Sequence, residues 1–122
     1  MAKNGYSMSN RQAIEVVDAS RDVTAADCGK ILTNAGATGA ITLTLPDASE
    51  SLKGVNFRMV VRAAQNFKVA TETVDTLVSR ADAAADSILS AEIGNEIYVF
   101  CDGSNWYAYG TTDGGTYTIA TA

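Results

Sequence analysis

Ile41-Thr42-Leu43-Thr44-Leu45 alternates aliphatic and threonine residues without a break. A period of two puts Ile41, Leu43 and Leu45 on one side of an extended chain and both threonines on the other. The segment therefore reads as a half-buried β-strand. The same period recurs downstream. In residues 55–62, Val55, Phe57, Met59 and Val61 share one face, while Asn56, Arg58, Val60 and Arg62 take the other. Glu96-Ile97-Tyr98-Val99-Phe100-Cys101 and Trp106-Tyr107-Ala108-Tyr109-Gly110 add two strands rich in the aromatic and β-branched residues that suit a pleated surface. Weaker strands are predicted at residues 13–19, 30–33, 67–70, 76–79, 87–91 and 116–120.

Turn chemistry separates these runs. Asp102-Gly103-Ser104-Asn105 lies between two aromatic strands, and its Gly can take φ > 0 without steric cost, which predicts a tight hairpin. Asn34-Ala35-Gly36-Ala37-Thr38-Gly39, Ala64-Gln65-Asn66 and Asp113-Gly114-Gly115 are further loops. Thr24-Ala25-Ala26-Asp27-Cys28-Gly29 has an N-cap Thr, an acid three residues on and a terminating Gly, which predicts one capped turn. Residues 80–86 are alanine-rich but carry no apolar stripe, so they read as a loop or a single turn. Strands every 8 to 12 residues with turns between them predict a sandwich or barrel. The chain is thus expected to be all-β, with a polar N-terminal arm over residues 1–12 and one β-sandwich domain over residues 13–122.

Composition excludes several chemistries. The 122 residues contain no histidine, so neither Ser-His-Asp nor Cys-His catalysis is available. Two cysteines, Cys28 and Cys101, cannot form a four-thiolate metal site and match no redox spacing. They read as reduced thiols, with Cys101 a small hydrophobe in a strand. A net charge of −5 disfavours general nucleic-acid binding. No run approaches the roughly 18 apolar residues of a membrane span. The first ten residues lack the apolar core of a secretion signal, so a soluble compartment is expected.

The charge is unevenly ordered. Residues 51–71 contain Lys53, Arg58, Arg62 and Lys68 and no acid, whereas residues 72–113 contain Arg80 alone against eight acids. Such asymmetry suits docking of unlike surfaces, either between subunits or onto an acidic partner, and it makes Lys53, Arg58, Arg62 and Lys68 the candidate contacts. The aromatic cluster Tyr98, Phe100, Trp106, Tyr107 and Tyr109 reads either as cross-strand cement or as a stacking platform for sugars. The acid pairs Asp82/Asp86 and Asp18/Asp22 match no ordered metal-binding motif and read as solvated surface. Gly36-Ala37-Thr38-Gly39 lacks the Lys-Ser/Thr of a phosphate loop.

Three stretches, taken in order, carry a family resemblance. They are Thr24-Ala25-Ala26-Asp27-Cys28-Gly29-Lys30, then Asn34 through Gly36-Ala37-Thr38-Gly39 to Thr42-Leu43-Thr44-Leu45-Pro46, then Asp102-Gly103-Ser104-Asn105-Trp106-Tyr107. This order resembles a small β module found in virion proteins of tailed bacteriophages, and the likeness covers roughly residues 22–112. The chain has none of the long repetitive or coiled-coil stretches of a fibre. It is therefore most similar to a capsid decoration, or cement, protein. The resemblance implies a β-sandwich of jelly-roll type, a homotrimer on the outer capsid surface of the virion, and the major capsid protein as partner. It implies no enzyme activity, no cofactor or metal, and no nucleic acid, membrane or small-molecule substrate. A tail or head-fibre module and a carbohydrate-binding module are the alternatives, the second resting on Trp106, Tyr107 and Tyr109.

Overall fold

The computed structural model describes residues 11–112 and 115–120. The described residues form an all-β single domain of twelve short strands in two sheets that share one core. The expected arm over residues 1–12 lies almost wholly outside the described residues. Of its last two, Gln12 donates its side-chain amide to the Gly29 carbonyl at 3.1 Å.

The first six strands alternate between the sheets. β1 (Ile14–Val16), β3 (Ile31–Thr33) and β5 (Asn56–Val60) lie side by side in parallel in a seven-stranded sheet. β2 (Arg21–Asp22), β4 (Ile41–Leu45) and β6 (Phe67–Thr71) do the same in a five-stranded sheet. The N-terminal half is therefore solenoid-like, three coils of chain each laying one strand in either sheet. The second half closes the sheets by mainly antiparallel pairing. β10 (Glu96–Cys101) joins β5, β11 (Trp106–Gly110) follows it, and β7 (Leu77–Ser79) and β8 (Asp82–Ala85) complete the seven. β9 (Ser87–Ser90) pairs with β6, and β12 (Thr118–Ala120) pairs with β9.

This corrects the jelly-roll expectation. A jelly roll is built from antiparallel neighbours, whereas five of the ten strand pairs here are parallel. Parallel neighbours need a long crossover. Here the crossover is itself a strand, because the chain leaving β3 passes through β4 in the other sheet before returning as β5. Alternation in the sequence reports which side of a strand is buried. It is silent on strand direction.

Burial follows the alternation closely. Val55, Phe57, Met59 and Val61 are buried, as are Ile41, Leu43 and Leu45. Two strands escape the sequence reading. β2 is two charged residues with no period, and β8 occupies the alanine-rich stretch read as a loop. The β7–β8 hairpin turns at Ala81 with φ +61°, a left-handed conformation that alanine does not advertise. The Asp102 hairpin forms as expected. Gly103 takes φ +96°, and Asp102 Oδ1 accepts the Ser104 and Asn105 N–H groups at 2.8 Å each.

Two buried asparagines pin the corners between strands. Asn34 Oδ1 accepts the N–H groups of Arg62 and Ala63 at 2.7 and 3.0 Å, and its amide donates to the Ala63 carbonyl at 3.2 Å. Asn95 donates to Ser90 Oγ at 2.9 Å and to the Thr116 carbonyl at 3.0 Å. A bend that takes backbone out of the ladders leaves polar groups to satisfy. These side chains satisfy them from inside.

Candidate functional site

The capped turn is the first of the singled-out motifs, and its acid has a structural task. Residues Ala25–Asp27 form one 3₁₀ turn. The Thr24 hydroxyl accepts the Ala26 N–H at 3.3 Å, and the Asp27 carboxylate accepts the Thr24 N–H at 3.0 Å. Asp27 is only 2% exposed. Arg21 grips it with two guanidinium contacts of 2.8 and 3.0 Å and also reaches Glu15 at 3.0 Å. Lys30 completes the cluster, 2.9 Å from Glu15 and 3.8 Å from Asp27. Glu15 stands in register with buried Leu32 and Arg21 with buried Leu43, so both point inward from the terminal strands of the two sheets. The ion pair thus spans the gap between the sheets and caps the first coil.

Burial alone would push the Asp27 carboxyl up. The Arg21 guanidinium, the Thr24 N–H and the Lys30 ammonium outweigh it and hold the group below its ordinary range. Glu15 is also held down, first by its Lys30 contact. A depressed folded-state pKa contributes stability that is complete above the unfolded value of about 4 and disappears as pH falls through the folded value. The urea midpoint should therefore be flat from these two groups between about pH 5 and 7 and fall below about pH 4. A midpoint that rises on acidification would contradict this account of the cap.

The aromatic cluster divides between the two faces of its hairpin. Trp106 points inward and is buried, with its indole Nε1–H donating to the Pro46 carbonyl at 2.6 Å. Tyr98, Phe100, Tyr107 and Tyr109 lie half-buried on the outer face of the seven-stranded sheet. Phe100 and Tyr107 are stacked at 4.7 Å with planes 2° apart. That separation equals the spacing of neighbouring strands, so the two rings stand side by side with their faces turned to each other. Sugar stacking needs an open ring face. This pair offers its edges, and the one tryptophan is in the core. The Phe100–Tyr107 pair acts as cross-strand cement, with Tyr98 and Tyr109 tilted against it. Asp102 Oδ2 accepts the Tyr107 hydroxyl at 2.7 Å, which holds the phenol above its usual pKa.

The four basic candidates do not make one patch. Arg58 is on the outer face of the seven-stranded sheet, 3.9 Å from Glu96 and 5.7 Å above the Tyr98 ring. Lys68 belongs to β6 and pairs in register with Thr42 and Leu89, on the outer face of the other sheet. Lys53 and Arg62 flank the two ends of β5, Lys53 beside Glu50 at 3.9 Å. β5 and β6 sit in opposite sheets, so Lys68 is parted from Arg58, while Lys53 and Arg62 remain at the two ends of the strand that carries Arg58.

Cys28 and Cys101 are free thiols, the first exposed and the second buried in β10. Among the described residues no group of three or more acids and cysteines could hold a metal ion. No helix among them is long and apolar enough to cross a membrane. Every buried side-chain nitrogen and oxygen described has a hydrogen-bond partner. The feature the sequence reading left unassembled is a set of rows across the outer face of the seven-stranded sheet. One is Ile14, Ile31, Arg58, Tyr98 and Tyr109, in register over five strands. Only the parallel pairing of β1, β3 and β5 brings it together, and that pairing was not legible.

No family model, curated protein or solved structure matches the chain.

Proposed function

We propose that this chain is a contact module of a tailed-phage virion, a decoration protein that binds the outer surface of the head and ties major capsid protein subunits together. The observation that carries the reading is where the three resembling stretches fall. The first buries Asp27 and caps the core. The second supplies the Asn34 staple and the innermost face of β4. The third forms the β10–β11 hairpin, and its Trp106 bonds back to Pro46 at the end of the second. The residues that carry the resemblance are thus scaffold, which leaves the outward side chains to make contacts. Added contact area that exists only in the assembled shell raises the free energy needed to separate its subunits.

Cryo-electron microscopy of virions carrying the chain tests this. Density of this fold on the outer head surface is the expected result. Density on the tail or on fibres selects the fibre-module reading instead, and absence from the particle removes both. The separation of the basic side chains also changes the electrostatic expectation. Arg58→Glu and Lys68→Glu, which act on opposite faces, should affect head binding unequally, measured as occupancy on heads lacking the protein. Equal losses would return them to one docking surface.

A further inference from the structure

A cleft of about 250 Å³ lies between the β7–β8 turn, the end of β11 and the paired strands β9 and β12. Its two sides differ in chemistry. Ile88 is buried, and Tyr117 and Ile119 pack half-buried against the core, so one side is apolar. Arg80 stands exposed on the other, at the β7–β8 turn. The apolar wall is preformed. The Tyr117 ring lies so close to Gly110 that a β-carbon there would stand 2.5 Å from it. The Tyr117 hydroxyl donates to the Glu96 carbonyl at 2.9 Å and accepts the Thr112 N–H at 3.2 Å. Only glycine at residue 110 lets the ring sit there, and these bonds fix its far end.

Arg80 is the one cation in residues 72–113, a stretch with eight acids, yet among the described residues its side chain makes no ion pair or hydrogen bond. The acids nearest it in sequence are engaged elsewhere. Asp82 Oδ1 accepts the Ala84 N–H at 2.9 Å, and Asp86 Oδ1 accepts the Asp75 N–H at 2.7 Å. A free guanidinium beside a preformed apolar wall defines a ligand. We propose that the cleft binds a small aliphatic monocarboxylate, its head group on Arg80 and its chain against Ile88, Tyr117 and Ile119.

The planar guanidinium fork matches both oxygens of a carboxylate. Thr112 Oγ1 already accepts the Glu96 N–H at 3.0 Å, so its O–H is left to donate as well. A phosphate dianion fits less well. It would bring two charges to one arginine in a chain of net charge −5 and leave the apolar wall unused. Size narrows the class further. A water takes about 30 Å³ of liquid, so the cleft holds on the order of eight non-hydrogen atoms, as many as hexanoate has. Arg80 is exposed, so water and salt weaken its attraction, and binding in the millimolar range is expected.

Titration of the purified chain with sodium hexanoate, followed through its backbone amides by heteronuclear NMR, tests this without any virion. Its outcome is thus separate from that of the particle experiment. Saturable shifts of the Gly110, Thr112 and Ile119 amides are the expected result, with a dissociation constant on the order of 1 mM. Hexanol has the same chain and no charge, and should bind at least about tenfold more weakly. Hexanoate should lose the same factor on Arg80→Gln, a change at an exposed side chain, with amide shifts elsewhere unaltered. The hexanol comparison uses the wild-type chain alone and decides the question if the variant folds poorly. Shifts that do not saturate in the millimolar range, or that map away from the cleft, overturn the proposal. So does hexanol binding as tightly as hexanoate, or a folded Arg80→Gln chain that binds hexanoate as the wild type does.

Discussion

Replacing Arg21 by alanine is expected to cost about 3 kcal/mol of folding stability, read as a lowered urea midpoint. The magnitude follows from what is left behind. Asp27 is 2% exposed and takes both short guanidinium contacts from Arg21. Removing a partner from such a pair strands a carboxylate in the protein, which costs more than the pair itself contributes. Lys30, at 3.8 Å, recovers part of the interaction, and Arg21 is itself 31% exposed, so water reaches the vacated space. Both hold the loss to the lower end of the range for buried pairs. Arg21→Met combined with Asp27→Leu should be less harmful than Arg21→Ala alone, because no charge remains uncompensated. A single-variant loss below about 1 kcal/mol would place the contact with ordinary surface ion pairs and remove its role as a cap.

Trp106→Ala is expected to be worse, at about 3–5 kcal/mol and a fall in Tm of roughly 10–20 °C. Trp106 is the largest fully buried side chain and stands among the facing residues of both sheets. Its removal leaves a cavity in the one core the molecule has. It also leaves the Pro46 carbonyl without its 2.6 Å donor. Trp106→Phe separates the two effects. It keeps most of the volume and loses the hydrogen bond, so it should cost about 1–3 kcal/mol. Circular dichroism is the measurement, since fluorescence disappears with the indole. Equal losses in the two variants would mean that the indole hydrogen bond, and not the filled volume, holds the sheets at this point.

How much of this was legible differs by element. The alternation in residues 41–45 and 55–62 identified both strands and their buried faces, because a period of two is a direct record of burial. The capped turn and the Asp102 hairpin were legible for a similar reason, since their side chains bond their own backbone within three residues. Strand direction was not. Parallel pairing of β3 with β5 is set by the passage of β4 through the opposite sheet, and no local residue encodes it. The same gap hid the candidate surfaces. Arg58 and Lys68 are close in sequence and lie on the outer faces of opposite sheets, whereas Ile14, Ile31, Arg58, Tyr98 and Tyr109 span nearly the whole chain and form one row.

The inward charges of the first coil bear on growth as well as on stability. β1 and β2 are terminal strands of their sheets and belong to the same coil. Among the described residues neither strand has a partner on its outer edge, and two such edges at one end of a solenoid are a template on which further strands of other molecules can add, the route by which such folds become fibres. A strand added there would seal Glu15 and Arg21 beneath it, away from water. The penalty for enclosing that cluster opposes elongation along the stacking axis. The same inward charges that cap the core thereby work against endless end-to-end growth of the fold.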